Sequence, residues 1–218
     1  MREKAILFDM DGVLVDSEAV ITEASILALR EYGIQPVEAD FKPFTGMGED
    51  AFVGGPAEKH GLRYIPEMKN RAYEYYLELV DEKIGLYPET AQTLLRLRES
   101  GLRLAVASAA DRIKVNANLK AAGISLDWFE AIITGSDVER KKPFPDIYLL
   151  AAERIGMAPT DCLVVEDALS GLQAAHSAGC RCLCVETSFD RRTLLEAGAN
   201  AVCPVLRDIF STELWRRG

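Results

Sequence analysis

"ILFDMDGVLVDSE", residues 6–18, runs an apolar stretch straight into Asp9, sets Asp11 two residues on with Gly12 behind it, and adds Asp16 and Glu18. The apolar part reads as a buried strand. Acids gathered where a strand ends, in a chain that is already acidic, call for a partner of opposite charge.

Outward from this stretch, strand-like runs alternate with helical patterns. The runs are "KAILFD", "LRLAVAS", "EAIIT", "CLVVED", "RCLCVE" and a weaker "NAVCP". Their near-continuous apolar content suits a parallel sheet buried on both faces. Helical patterns cover 89–100, 111–122, 146–155, 168–178 and 191–197, several stopping at a glycine such as Gly101, Gly123 or Gly179. Strand, helix, strand at this spacing predicts an α/β fold with a doubly wound, Rossmann-like parallel sheet. From Ser17 to Lys83 the period is helical with no strand, which predicts an inserted α-helical cap domain. The expected division is 1–16 with 84–218 for the core and 17–83 for the cap.

The 218 residues are 49% hydrophobic, enough for one good-sized core, or for a core with a smaller insert. A formal charge of −9 argues against nucleic acid as a partner. An anionic small molecule needs local attraction, from a metal ion or a placed Lys or Arg. No run approaches the ~20 apolar residues of a membrane span, and "MREKAILFDMDG" carries no signal-peptide pattern. The expectation is a soluble, cytoplasmic monomer with no membrane partner. Five cysteines, all after residue 160, make a poor disulfide framework. Cys180, Cys182 and Cys184 share one strand face, where side chains splay in parallel and do not close a tetrahedron; core thiols are the better reading.

Ligands of open α/β sheets sit beyond the carboxyl ends of the strands. The first strand delivers Asp9 and Asp11, the second Ser108, the loop after the third Lys141 and Lys142, the fourth Glu166 and Asp167. This is the inventory of a Mg²⁺ and phosphate site. Mg²⁺ takes hard oxygen ligands and keeps several waters, so two or three carboxylates suffice. A carboxylate can act as nucleophile and become an acyl phosphate. A second acid two residues on can hydrogen-bond the leaving or attacking oxygen as general acid/base. Clustered acids repel one another unless a cation offsets them. Taken singly, each element has a plainer reading. A lone D-x-D begins a turn, Ser108 or Glu166–Asp167 caps a helix, and a lone lysine is a solvated charge. An EF-hand fails because Gly12 comes too early and position 13 is Val. Their combination at successive strand ends is what the plainer readings explain badly.

"FDMDGVLVDS", "VASAAD", "KKPFPDIY" and "VVEDALSGLQAA" resemble the four ordered motifs of the haloacid dehalogenase-like superfamily. The resemblance spans essentially the whole chain. It is closest to the helical-cap branch that holds beta-phosphoglucomutase and many sugar-phosphate phosphatases. It implies Asp9 as nucleophile, Asp11 as general acid/base, Ser108 on the phosphoryl oxygens and Lys142 between nucleophile and phosphate, with Lys141 as fallback. It further implies Mg²⁺ held by Asp9, the backbone carbonyl of Asp11, Glu166 and Asp167. Ser17, Gly46, Ala109 and Arg71 are the candidate substrate contacts. His60 reads as a helix-end residue and His176 as an ordinary helix position. Asp16 and Glu18 are assigned to the hinge into the cap.

The cap separates hydrolysis from transfer. Beta-phosphoglucomutase carries a cap histidine where this chain has Ile21, and an arginine in the cap loop spelled here "TGMGEDAF". The expected function is therefore a Mg²⁺-dependent phosphatase of a small phosphorylated metabolite, a sugar phosphate, acting through an aspartyl phosphate. A phosphohexomutase is the first alternative and a non-catalytic binding module the second.

Overall fold

The computed structural model describes residues 4–45 and 47–216, so Gly46 lies outside the described residues. In chain order the structure runs β1 (Ala5–Phe8), β2 (Val15–Asp16), α1 (Glu18–Glu31), α2 (Glu49–Lys59), α3 (Pro66–Lys83), β3 (Gly85–Leu86) and α4 (Thr90–Glu99). It continues with β4 (Arg103–Ala107), α5 (Arg112–Ala121), β5 (Ala131–Ile133), α6 (Asp146–Arg154) and β6 (Cys162–Glu166). The last elements used below are α7 (Leu169–Ser177), β7 (Arg181–Val185), α8 (Arg191–Glu196) and β8 (Ala201–Cys203).

Six strands form one parallel sheet in the order β5-β4-β1-β6-β7-β8. β1 is central, with Leu7 in register with Ala105 on one side and Val164 on the other. Successive strand side chains face opposite ways. Ile6, Phe8, Leu104, Val106 and Val165 therefore join an apolar cluster distinct from the one holding Ala5, Leu7, Ala105 and Val164. Helices cover both faces, which is why the strands read as unbroken apolar runs. All six predicted strand runs are present. The five cysteines are buried free thiols, and Cys180, Cys182 and Cys184 pack in the second of these clusters.

The chain after β1 goes to β4 on one side and later crosses to β6 on the other, so β1 stands at the topological switch point. The helical insert begins there. α1, α2 and α3 enclose an apolar cluster of their own that includes Val20, Ala24, Phe52, Val53, Tyr73 and Tyr76. α3 also packs on α5. The entry and exit of the insert pair as a two-residue antiparallel ribbon, Val15 with Leu86 and Asp16 with Gly85, which the sequence reading missed. Two residues per strand carry no periodicity. Among the described residues no helix is long and apolar enough to cross a membrane.

Candidate active site

β1 ends at Phe8, so Asp9 is the first residue past the sheet, its backbone N–H still donating to Val165 O at 2.9 Å. The chain then turns tightly at Gly12, which has φ +79°. A Cβ there would lie 1.9 Å from Asp167 Oδ2. Glycine at this position lets the β1 turn close against the end of β6. Gly171 does the same on α7, where an added Cβ would sit 1.6 Å from Glu166 Oε1.

Asp9 Oδ1 is 2.5 Å from Lys142 Nζ, which also meets Glu166 Oε1 at 2.6 Å. Tyr148 of α6 donates to the same Glu166 oxygen at 2.8 Å. Glu166 Oε2 accepts the backbone N–H groups of Asp167 and Ala168, so the carboxylate closes the turn and binds the lysine together. Ser188 donates to Asp167 Oδ2, and Thr187 Oγ1 donates to Gly12 O at 2.6 Å. Across the cavity, Ser108 follows β4 and is fully buried, its Oγ accepting the Ala110 N–H at 3.2 Å.

Asp11 occupies a second polar group. Lys114 Nζ lies 2.8 Å from its Oδ2, Asn118 Nδ2 donates to its Oδ1 at 3.1 Å, and Ser17 Oγ donates to the same oxygen. Ser17 stands at the N-cap position of α1 but makes no capping bond; its hydroxyl is used on Asp11. Tyr76 of α3 donates to Asn118, which ties the insert to the sheet-side helix α5.

These groups line a cavity of about 230 Å³ that includes Asp9, Asp11, Ser17, Ser108, Ala109, Lys142, Glu166 and Asp167. Eight of the predicted site residues thus meet in one place. Arg71 does not. It lies on α3, 2.8 Å from Glu31 and paired with Glu74, stacked over Tyr75 at 4.3 Å, away from the cavity. Of the two lysines, Lys142 reaches Asp9, whereas Lys141 lies 3.5 Å from Asp50 and Asp111. His60 caps the end of α2 and meets Asp40 at 2.9 Å. His176 is exposed on α7.

The charges do not balance. Burial pushes the Asp9 carboxyl up to about 7; Lys142 opposes this, while Glu166 and Asp11 add to it. Burial, then the charges of Glu166 and Asp9, push Asp167 well above the usual carboxylate range. Burial acts on Glu166 in the same direction, but Lys142 and the hydrogen bonds outweigh it and hold that group down. Burial works against charge on Lys142 too, yet Asp9 and Glu166 raise it. Three buried carboxylates thus share one ammonium. Asp9, Glu166 and Asp167 each offer an oxygen within 4.8 Å of the other two. All-oxygen donors with uncompensated negative charge fit a hard divalent cation.

Lys114, Asn118, Glu49, Thr187 and Ser188 also belong to the site and were not singled out from the sequence. Thr187 and Ser188 lie two and three residues past the end of β7, so the strand-end rule applied once more finds them. Lys114 and Asn118, four apart on one helix, carry no such signal.

The fold and this strand-end cluster define a doubly wound α/β protein with a buried, all-oxygen acidic site at the switch point of its parallel sheet. The sequence matches the family "Hydrolase: haloacid dehalogenase-like hydrolase" over residues 3–179, and the chain belongs to that family. It is 42% identical over 206 residues to Protein SUPPRESSOR OF QUENCHING 1, chloroplastic, of Arabidopsis thaliana, covering 92% of this chain and 19% of that protein. It is 32% identical to Hexitol phosphatase A of Escherichia coli, covering 90% of this chain and 89% of that one. The crystal structure of CbbY from Rhodobacter sphaeroides in complex with phosphate superposes with a TM-score of 0.83 at 27% identity, over 95% of this chain and 96% of that chain. The chain is an enzyme of a hydrolase family whose named relatives include phosphatases.

Proposed function

We propose that the protein is a Mg²⁺-dependent phosphohydrolase of a small phosphorylated metabolite, a sugar phosphate, with Asp9 as nucleophile. The observation that carries this is the contact of Asp9 Oδ1 with Lys142 Nζ at 2.5 Å inside the buried carboxylate group with Glu166 and Asp167. Residues 17–83 are read as a cap over a core of 1–16 and 84–218. The likeness to Hexitol phosphatase A supports a phosphorylated polyol or sugar as substrate class.

Asp9 attacks phosphorus and displaces the alcohol, forming an aspartyl phosphate. Asp11, steered by Ser17, Lys114 and Asn118, gives a proton to the leaving oxygen and then takes one from the attacking water. Lys142 and Ser108 hold the phosphoryl oxygens. Asp9, Glu166 and Asp167 would hold a magnesium ion, which would supply positive charge against the charge developing on the phosphoryl group. Ile21, which lines the cavity and is 4% exposed, has no proton to exchange, and this favours hydrolysis over mutase chemistry. The test is phosphate release from an aryl phosphate with Mg²⁺. Asp9→Asn abolishes turnover and the phosphoenzyme mass increment; turnover at the wild-type rate overturns the reading.

A further inference from the structure

Glu49 opens α2, is 5% exposed and lines the cavity. Its Oε1 lies 3.2 Å from Lys114 Nζ, and its Oε2 is buried with no hydrogen-bond partner. An unpaired buried acceptor is costly, more so when it is charged, so a donor that reaches it is favoured. Among the described residues lining the cavity, the cations are Lys114 and Lys142. Each is already shared by two carboxylates, Asp11 with Glu49 and Asp9 with Glu166. α1 adds Glu18 to this wall, and Ile21, Phe44 and Phe52 add apolar surface. One phosphoryl group is provided for at the strand ends; a second anion finds no free cation here and meets carboxylates instead.

We propose that Glu49 selects the leaving group: its carboxylate accepts a hydrogen bond from a substrate hydroxyl and rejects a second phosphate or a carboxylate. The substrate class is the phosphomonoester of an uncharged polyhydroxy alcohol. This rests on the phosphohydrolase reading and sharpens it. A hydrogen bond to a charged acceptor contributes about ten- to hundredfold, and facing like charges costs upwards of ~100-fold.

The experiment measures phosphate release by the full chain with Mg²⁺ from four esters: a hexitol 6-phosphate, 2-phosphoglycolate, a ketopentose 1,5-bisphosphate and p-nitrophenyl phosphate. The expected kcat/KM for the hexitol phosphate exceeds those of the two esters that carry a second anionic group by ~100-fold or more. Glu49→Gln keeps the shape and the contact with Lys114 but removes the charge. It lowers hexitol phosphate turnover and raises that of the two anionic esters, narrowing the ratio by at least ~10-fold. A wild-type preference for either anionic ester overturns the proposal. So does a Glu49→Gln variant in which all four esters change by one factor, as a purely structural role requires. Turnover of p-nitrophenyl phosphate without discrimination among the other three overturns this inference alone. Failure on all four esters removes the phosphohydrolase reading and the inference with it.

Discussion

Lys142 Nζ lies between Asp9 and Glu166 and its residue is 5% exposed, whereas Lys141 keeps its ammonium 3.5 Å from Asp50 and Asp111 in a partly exposed position. Removing one partner of a buried ion group leaves uncompensated charge and costs about 3–5 kcal/mol. A partly exposed pair is worth about 0–1 kcal/mol. Lys142→Ala therefore destabilises by the larger amount in urea unfolding and loses turnover, while Lys141→Ala stays within about 1 kcal/mol of wild type. Equal effects of the two substitutions would contradict the assignment. The two lysines are indistinguishable as residue types; the family resemblance favoured Lys142, and the loop geometry carries that lysine alone to Asp9. Gly171→Ala makes a matching steric point. Its methyl would meet Glu166 Oε1 at 1.6 Å, and overpacking of this kind costs about 1–3 kcal/mol. Thermal unfolding reads it directly.

At the scale of elements, the stretch between α1 and α2 has, among the described residues, only two three-residue 3-10 turns, Glu38–Asp40 and Lys42–Phe44, and needs an anchor. Asp40 supplies it: the side chain is buried, meets Lys59 at 2.5 Å and His60 at 2.9 Å, and accepts the Val37 N–H at 3.0 Å. The hydrogen bonds from Lys59, His60 and Val37 hold the Asp40 carboxyl well below the usual carboxylate range. A depressed folded-state value means the contribution to stability is complete above the unfolded value near 4 and is lost as pH falls below it. The gap in urea midpoint between wild type and Asp40→Asn therefore shrinks as pH falls from 5 toward 3. A gap that widens on acidification would refute this sign. The helices flanking this stretch were legible from period and glycine stops. The anchor was not, because an acid and two bases 19 and 20 residues apart show no relation until α2 folds back.

On the scale of the whole molecule, the sheet brings Asp9, just past β1, and Glu166–Asp167, at the end of β6, together because these strands are neighbours in the sheet. A cation bound only by the folded arrangement stabilises it by mass action, about 2.7 kcal/mol at a hundredfold excess over Kd. Mg²⁺ is expected to raise the melting temperature of the wild type and to raise that of Asp167→Asn far less. An equal rise in both would remove Asp167 from the ligand set.

The six strands of the parallel sheet, the helical insert and the strand-end acids were written into local patterns: apolar runs, helical period, glycine stops and motif order. These depend on near neighbours in the chain and survive without any knowledge of packing. The tertiary structure alone decided that Arg71 faces Glu31 and Glu74, that Lys114 joins Asp11 to Glu49, and that Glu49 keeps a buried oxygen without a partner. Those outcomes depend on which faces of α1, α2, α3 and α5 meet, a choice set by burial across long separations that no window of sequence contains. "ILFDMDGVLVDSE" announced where the acids gather; only the folded chain showed that Lys142 meets Asp9 while Lys114 meets Asp11.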